Sequence, residues 1–140
     1  MTHLGFRLVL LAALLLASAA PLPSFAKERI RQFQSDVEVM PSGTLTVTET
    51  ITVLAEGKKI KRGIYRDFPI EYRDHENRKH QVDFRLLSVS RDGRPEAHHM
   101  EKLSNGIRIY IGQRNQILPP GEYRYTLTYE TDRQLGFFDK

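Results

Sequence analysis

The side chains of this sequence that could carry acid–base chemistry centre on Glu49. It lies in the run Thr44–Ala55, where apolar residues alternate with threonines, and it falls on the apolar side of that alternation. An ionised carboxylate inside a core needs a cation or hydrogen-bond donors, because burying it without a partner is very costly. Of the basic residues that follow, Arg66 lies in a short apolar segment. We therefore predict a buried Glu49–Arg66 ion pair that fastens this segment to a sheet.

The alternative makes Glu49 a functional carboxylate of a hydrolase or a glycan-binding site. Glycosidase-type chemistry needs a second carboxylate about 5 to 9 Å away, and the near candidates in sequence are Asp67, Glu71 and Asp74. The sequence has no G-x-S-x-G elbow and no phosphate-binding loop. We therefore expect no enzyme and no catalytic residue, and an envelope hydrolase or glycan-binding domain that uses Glu49 remains the alternative.

The histidines and the absence of cysteine bear on metal binding. His98 and His99 are adjacent on a strand-like run, so their side chains point to opposite faces. His75 and His80 lie in a polar stretch beside acidic residues, where solvation explains them as well as a weak metal site does. With no cysteine in the chain, thiolate ligands and disulfides are excluded. We expect neither a metal nor a cofactor.

The first 26 residues have the layout of a secretory signal peptide. Arg7 precedes the apolar block Leu8–Leu16, and a small-x-small site ends at Ala26. The block is short for a membrane span, although an uncleaved anchor or a cut after Ala19 remains open. Cleavage after Ala26 lowers the formal charge from +4 to +3, because Arg7 is the only charged residue removed. We therefore expect residues 27–140 to form one exported domain that binds no nucleic acid.

The elements that must position these side chains are strands. No window of ten or more residues after the signal peptide shows a helical period of apolar positions. Alternation instead predicts six strands, within Ile30–Val39, Thr44–Ala55, Val82–Ser90, Ala97–Leu103, Ile107–Ile111 and Tyr123–Tyr129. Turn signals separate them, among them Asn105-Gly106, which favours a type I′ hairpin turn. The predicted fold is all-β, an antiparallel, Ig-like β-sandwich.

The heptapeptide Gly63–Pro69 (GIYRDFP) is the most distinctive segment of the chain. Its apolar residues are too many for an exposed loop, and Pro69 keeps Phe68 out of a helix. We predict that it packs back over the sheet, with Arg66 and Asp67 near its surface. The residues that we single out as a structural motif are Glu49, Gly63, Tyr65, Arg66, Asp67 and Pro69.

Several short motifs occur in an order that resembles a known family. They are VTETI at Val47–Ile51, GIYRDFP at Gly63–Pro69, PGEYRY at Pro120–Tyr125 and GFF at Gly136–Phe138. This order is similar to the amino-terminal extracytoplasmic domain of the bacterial predicted membrane proteins with domain of unknown function 2207, the YciQ-like family. The resemblance covers the chain from about Ile30 to its end. It implies a membrane-anchored parent protein and no activity, because the family has none assigned.

The resemblance also implies that more chain follows, since family members continue into transmembrane helices. The apolar end Leu135–Lys140 agrees with a truncated domain, because compact domains normally finish in polar residues. We therefore expect a non-enzymatic extracytoplasmic domain that serves binding or assembly. Its expected partner is the membrane domain of the same parent protein, with another envelope protein or self-association as further options. The basic run Lys58–Arg62 would suit anionic lipid headgroups, although a solvated loop explains it equally.

Overall fold

The computed structural model describes residues 27–132, and every regular element in that range is a strand. All strand pairs are antiparallel, so the predicted all-β antiparallel fold is confirmed. The Ig-like subtype stays a prediction. The predicted signal peptide, residues 1–26, and the apolar end at Leu135–Lys140 lie outside the described residues.

Ten strands follow one another along the described part of the chain. They are β1 (Arg29–Val39), β2 (Leu45–Ala55), β3 (Ile64–Pro69), β4 (Glu71–Arg73), β5 (Lys79–Gln81), β6 (Phe84–Arg91), β7 (Arg94–Pro95), β8 (His98–Lys102), β9 (Gly106–Ile111) and β10 (Gly121–Thr131). They form a five-stranded sheet in the order β1-β2-β10-β6-β7, a three-stranded sheet in the order β3-β9-β8, and the β4-β5 hairpin.

The two larger sheets face each other across the core. Strand β2 contributes Leu45, Val47, Ile51 and Val53, and strand β10 contributes Tyr125, Leu127 and Tyr129. Phe68, Ile109 and Ile111 of the smaller sheet pack against them. Most of these residues alternate with polar neighbours, as period-two patterning requires of strands that bury one face.

Strand β1 extends beyond the cover of the smaller sheet. It pairs with β2 along its inner edge, yet all eleven of its residues are exposed and none belongs to the core cluster. Its outer edge pairs with no strand among residues 27–132. We call this outer edge, Arg29–Val39, the open edge.

The predicted hairpin at Asn105-Gly106 joins β8 to β9, and only its turn type is corrected. The positive φ pair of a type I′ turn occurs at Asp92-Gly93, with φ of 51° and 78°, and not at Asn105-Gly106. Gly106 lies in β9 opposite Pro69, where a Cβ would come within 2.1 Å of the Phe68 carbonyl oxygen. Glycine is therefore required there by close backbone approach. The polar stretch between residues 71 and 81 is mostly exposed, and within it β4 and β5 form a hairpin.

Candidate functional site

Strand β3 organises the candidate site because it presents a charged residue on each face. Its inner face carries Arg66, whose Nε and Nη2 atoms each donate a hydrogen bond of 2.7 Å to one oxygen of Glu49. The Glu49 residue is only 4% exposed. Bidentate pairing of this kind is among the strongest charge-assisted contacts. The structure thus brings together Glu49, which breaks the apolar pattern of β2, and Arg66 of the Gly63–Pro69 segment.

Tyr129 and two phenylalanine rings surround the Glu49–Arg66 pair. The Tyr129 hydroxyl donates to Glu49 Oε1 at 3.2 Å. The Arg66 guanidinium lies 5.4 Å from the ring centre of Phe33 and 5.1 Å from that of Phe68. The hydrogen bond with Glu49 raises the pKa of Arg66, so the guanidinium stays charged. Burial first, and then the negative Glu49, raises the pKa of Tyr129 to about 12.

The acids proposed as partners of a catalytic Glu49 are held elsewhere. Asp67 binds Arg108, and Glu71 binds Lys79 at 2.7 Å. Asp74 accepts hydrogen bonds from the His80 ring and the Arg78 guanidinium, which together bring the pKa of Asp74 to about 2. No second carboxylate hydrogen-bonds to Glu49 or Arg66 within residues 27–132. Both oxygens of Glu49 are therefore engaged by Arg66 and Tyr129.

The outer face of β3 carries a second bidentate ion pair. Arg108 of β9 donates to both oxygens of Asp67, at 2.6 and 2.7 Å, and this contact lowers the pKa of Asp67. The Arg108 guanidinium also lies 4.2 Å from the ring centre of Tyr65 and 5.8 Å from that of Tyr110. Tyr65 is 57% exposed. The outer face is therefore an accessible surface on which the Arg108 guanidinium contacts the rings of Tyr65 and Tyr110.

Two glycines cross at the end of β3. A Cβ on Gly63 would come within 1.8 Å of the Ile111 carbonyl oxygen, and a Cβ on Gly112 would come within 1.9 Å of the Arg62 carbonyl oxygen. Both glycines have φ in the left-handed range, at 140° and 130°. Any side chain at either position would displace the other segment, so the two glycines act as one steric unit. Pro69, at the other end of β3, faces Gly106.

A cleft of about 400 Å³ opens over this crossing. Lys59, Lys61, Arg62 and Arg114 line it, together with Tyr65, Tyr110, His99 and Glu101. The rings of His99 and Tyr110 stack with centres 4.6 Å apart. We call it the basic cleft. The sequence pattern marked Lys58–Arg62 and Tyr65 but not the β8 and β9 residues, because only strand pairing brings those residues beside the loop.

The loop that carries the basic residues is held by Glu28. The Glu28 carboxylate accepts backbone N–H hydrogen bonds from Glu56 (3.1 Å), Lys58 (3.3 Å), Lys59 (2.7 Å) and Ile60 (2.9 Å). Desolvation opposes ionisation of Glu28, but the four backbone donors prevail and lower its pKa. Sequence analysis missed this contact, since no pattern pairs residue 28 with a loop about thirty residues away.

A second opening, which we call the apolar groove, lies between β1 and β3 and also measures about 400 Å³. Its floor is formed by Ile51 and Val53, and one wall by Ile30 and Phe33 of β1. The groove shares Lys59, Gly63, Ile64 and Tyr65 with the basic cleft. The two openings therefore adjoin each other along the start of β3.

Within residues 27–132 there is no group of three or more metal-binding side chains. The same range contains no helix with the length and apolarity needed to cross a membrane.

Comparison with known proteins gives two matches. Residues 29–140 match the family described as "Predicted membrane protein (DUF2207) N-terminal domain". The chain is 30% identical over 128 residues to "Uncharacterized protein YciQ" of Escherichia coli (strain K12), and this alignment covers 88% of the chain and 20% of YciQ. The chain thus spans about a fifth of the length of this curated relative. No solved structure matches it.

Proposed function

The chain belongs to the family of predicted membrane proteins with a DUF2207 N-terminal domain, and from this premise we propose that it is a non-enzymatic assembly domain on the extracytoplasmic face of the membrane. Its partner is the membrane domain of the same parent protein, and the contact is made through the open edge. The signal-peptide layout of residues 1–26 supports the extracytoplasmic placement.

The observation that carries this proposal is the exposure of β1. A strand of eleven residues with one unpaired edge is a ready template for strand addition, and soluble proteins normally shorten or cover such edges. Beside the edge, Val37, Val39 and Met40 are 54%, 56% and 41% exposed. Val37 and Val39 lie on the core-facing side, because they pair with Val47 and Leu45. A partner strand would gain both backbone hydrogen bonds and apolar contact here.

The choice of the parent's own membrane domain as the partner rests on the small share of the relative that the chain matches. The chain matches 20% of YciQ, so the relative contains a large amount of further protein that is linked to the matched domain. Contact within one polypeptide benefits from a high effective concentration and needs little affinity per unit of surface. The engagement of the Glu49 oxygens by Arg66 and Tyr129 supports a structural role for that carboxylate.

A photo-crosslinking amino acid at position 37 of the full-length parent protein tests the contact in intact cells. We expect intramolecular crosslinks between residue 37 and the parent's membrane domain, identified by mass spectrometry of peptides. The matched control places the crosslinker at Leu87, which is 45% exposed on the same sheet. Crosslinks to a second copy or to another protein, or equal crosslinking from position 87, would count against the proposed partner.

The side of the membrane is tested separately with a thiol. Because the chain contains no cysteine, Ser104→Cys in an exposed turn gives a single reactive group in this domain. We expect a membrane-impermeant maleimide to label it in intact cells, in a parent protein with any other cysteines replaced. Labelling only after cell lysis would place the domain on the other side.

A further inference from the structure

We propose that the basic cleft and the apolar groove form one site for a single anionic phospholipid, whose phosphate lies in the cleft and whose acyl chain lies in the groove. The site uses the loop after β2, the edge of the smaller sheet and the side chains of Ile30 and Phe33 in β1, whereas assembly uses the unpaired backbone edge of β1 near Val37. The inference therefore does not depend on the proposed assembly function.

The adjacency of the two openings supports a ligand that is charged at one end and apolar at the other and that passes around the edge of β3. Lys59, Gly63, Ile64 and Tyr65 border both openings. Each opening measures about 400 Å³, a size typical of sites for small molecules. A ligand that filled only one of them would leave either the cations or the apolar walls exposed to water.

The cations of the cleft are available to an anion. Lys59, Lys61, Arg62 and Arg114 form no ion pair within the described part of the chain. Arginine and lysine are the side chains that bind phosphate oxygens best, by bidentate and point-charge contact respectively. Glu101 in the same cleft supplies an acceptor for a hydroxyl group. This set favours a phosphate diester that also carries hydroxyls, such as a phosphatidylglycerol headgroup.

The groove offers what an acyl chain requires. Its floor residues Ile51 and Val53 are 2% and 1% exposed, while the wall residues Ile30 and Phe33 are 62% and 49% exposed. A chain that lay between the walls would remove their apolar surface from water without disturbing the floor. The guanidinium of Arg66 lies over the Phe33 ring and keeps that wall in place.

The junction between cleft and groove is built to keep its shape. The Gly63–Gly112 crossing leaves no space for a side chain. Glu28 holds the backbone of Lys59 and Ile60 through hydrogen bonds of 2.7 and 2.9 Å. A site held in its binding conformation before the ligand arrives loses less entropy on binding.

Vesicle flotation of the full chain tests the headgroup end. We expect binding to vesicles of phosphatidylglycerol and phosphatidylcholine, and little binding to phosphatidylcholine alone. Lys61→Ala/Arg62→Ala should weaken binding by about 30-fold, as expected for two cations near an anionic surface. The matched control Arg94→Ala/Arg124→Ala removes two exposed arginines that have no ion pair in the described range, and binding should change by about twofold at most. Equal losses in both variants would indicate diffuse charge attraction and overturn the proposal.

Titration with dihexanoyl phosphatidylglycerol, below its micelle concentration, tests the whole site without a membrane surface. We expect amide chemical shift changes at Ile30, Phe33, Gly63 and Tyr65, and weaker binding by Ile30→Ser than by the exposed control Leu87→Ser. Soluble glycerol phosphate should bind at least tenfold more weakly than the lipid. Equal affinity for the two, or shifts confined to the cleft, would show that the groove holds no chain and would overturn the proposal.

Discussion

At the scale of single residues, Glu49 shows how a break in a pattern can mark a contact. A carboxylate on the apolar side of β2 had to find partners, and the fold supplies three donor atoms from Arg66 and Tyr129. The arginine was predictable because it lies in the next segment. The tyrosine was not, because its position depends on the register between β2 and β10, where Leu127 faces Glu49. Local spacing cannot supply such long-range registers.

Replacing Glu49 alone should destabilise the fold strongly. We expect Glu49→Ala to lower the free energy of unfolding by about 3 to 5 kcal/mol, because it leaves the Arg66 charge partly buried without its partner. Glu49→Leu/Arg66→Leu should recover much of this loss, since it removes both charges. Urea denaturation of the chain measures both effects.

The control for this prediction is the exposed pair Arg31–Glu122, whose side chains are 49% and 52% exposed. Glu122→Ala should cost about 1 kcal/mol at most, because water screens such pairs. If Glu49→Ala were no worse than Glu122→Ala, the Glu49–Arg66 pair would contribute little to stability.

Tyr129 should make stability fall at high pH. Burial raises its pKa in the folded protein from the usual value of 10.0 to about 12, so its contribution to stability is present below pH 10 and is lost as the pH rises through 12. The phenolate would also lie beside Glu49, which adds repulsion. We expect Tyr129→Phe to lessen the decline in unfolding free energy between pH 10 and 12, measured by urea denaturation at each pH. Tyr72→Phe, at an exposed position, should leave the decline unchanged.

At the scale of elements, the strands were predictable and their partners were only partly so. Alternating apolar residues located the long strands β2 and β10, and the Gly63–Pro69 segment was expected over the sheet because of its apolar content. Its pairing with β9 was not expected, since nothing local links Ile64 to Ile111. The Asn-Gly signal correctly predicted the β8–β9 hairpin but not its turn type, because the glycine at position 106 is required by the close approach of β3.

The glycine crossing gives an element-scale prediction. Gly63→Ala should lower the free energy of unfolding by about 3 kcal/mol, since it combines a positive φ with a clash against Ile111. Gly57→Ala is the matched control, because Gly57 has φ of 75° but no atom within 4 Å of an added Cβ. It should cost about 1 kcal/mol. Thermal or urea denaturation compares the two, and equal costs would mean that the crossing can relax.

At the scale of the whole molecule, the described part of the chain has a sheet whose central strands are paired on both edges and whose strand β1 is paired on one edge only. The centre of the larger sheet, β2 and β10, is paired on both edges and covered by the smaller sheet. Strand β1 has one paired edge and eleven exposed residues, although Arg66 of the smaller sheet lies over the Phe33 ring. The sequence pattern predicted this strand, but it could not show that the side chains of Val37 and Val39 remain more than half exposed.

Hydrogen exchange should reflect this asymmetry. We expect amides of β1 to exchange well before those of β10 in the isolated chain, because local opening of β1 exposes little apolar surface. In the full-length parent protein, β1 should become protected while β10 changes little. Mass spectrometry of peptides from both strands measures the difference. Equal exchange of β1 in the two proteins would mean that the open edge stays uncovered in the parent.

The Glu28 contact has a mechanical consequence for the whole molecule. One carboxylate holds four amides of a single loop, and all four contacts share that one anchor point. A force on the chain before residue 28 would act on all four hydrogen bonds at once. We therefore expect them to break together, so that the loop is either bound to Glu28 or free of it. Tension on the chain at Glu28 would thereby act on the backbone of Lys59 and its neighbours. It would change the basic cleft through this loop.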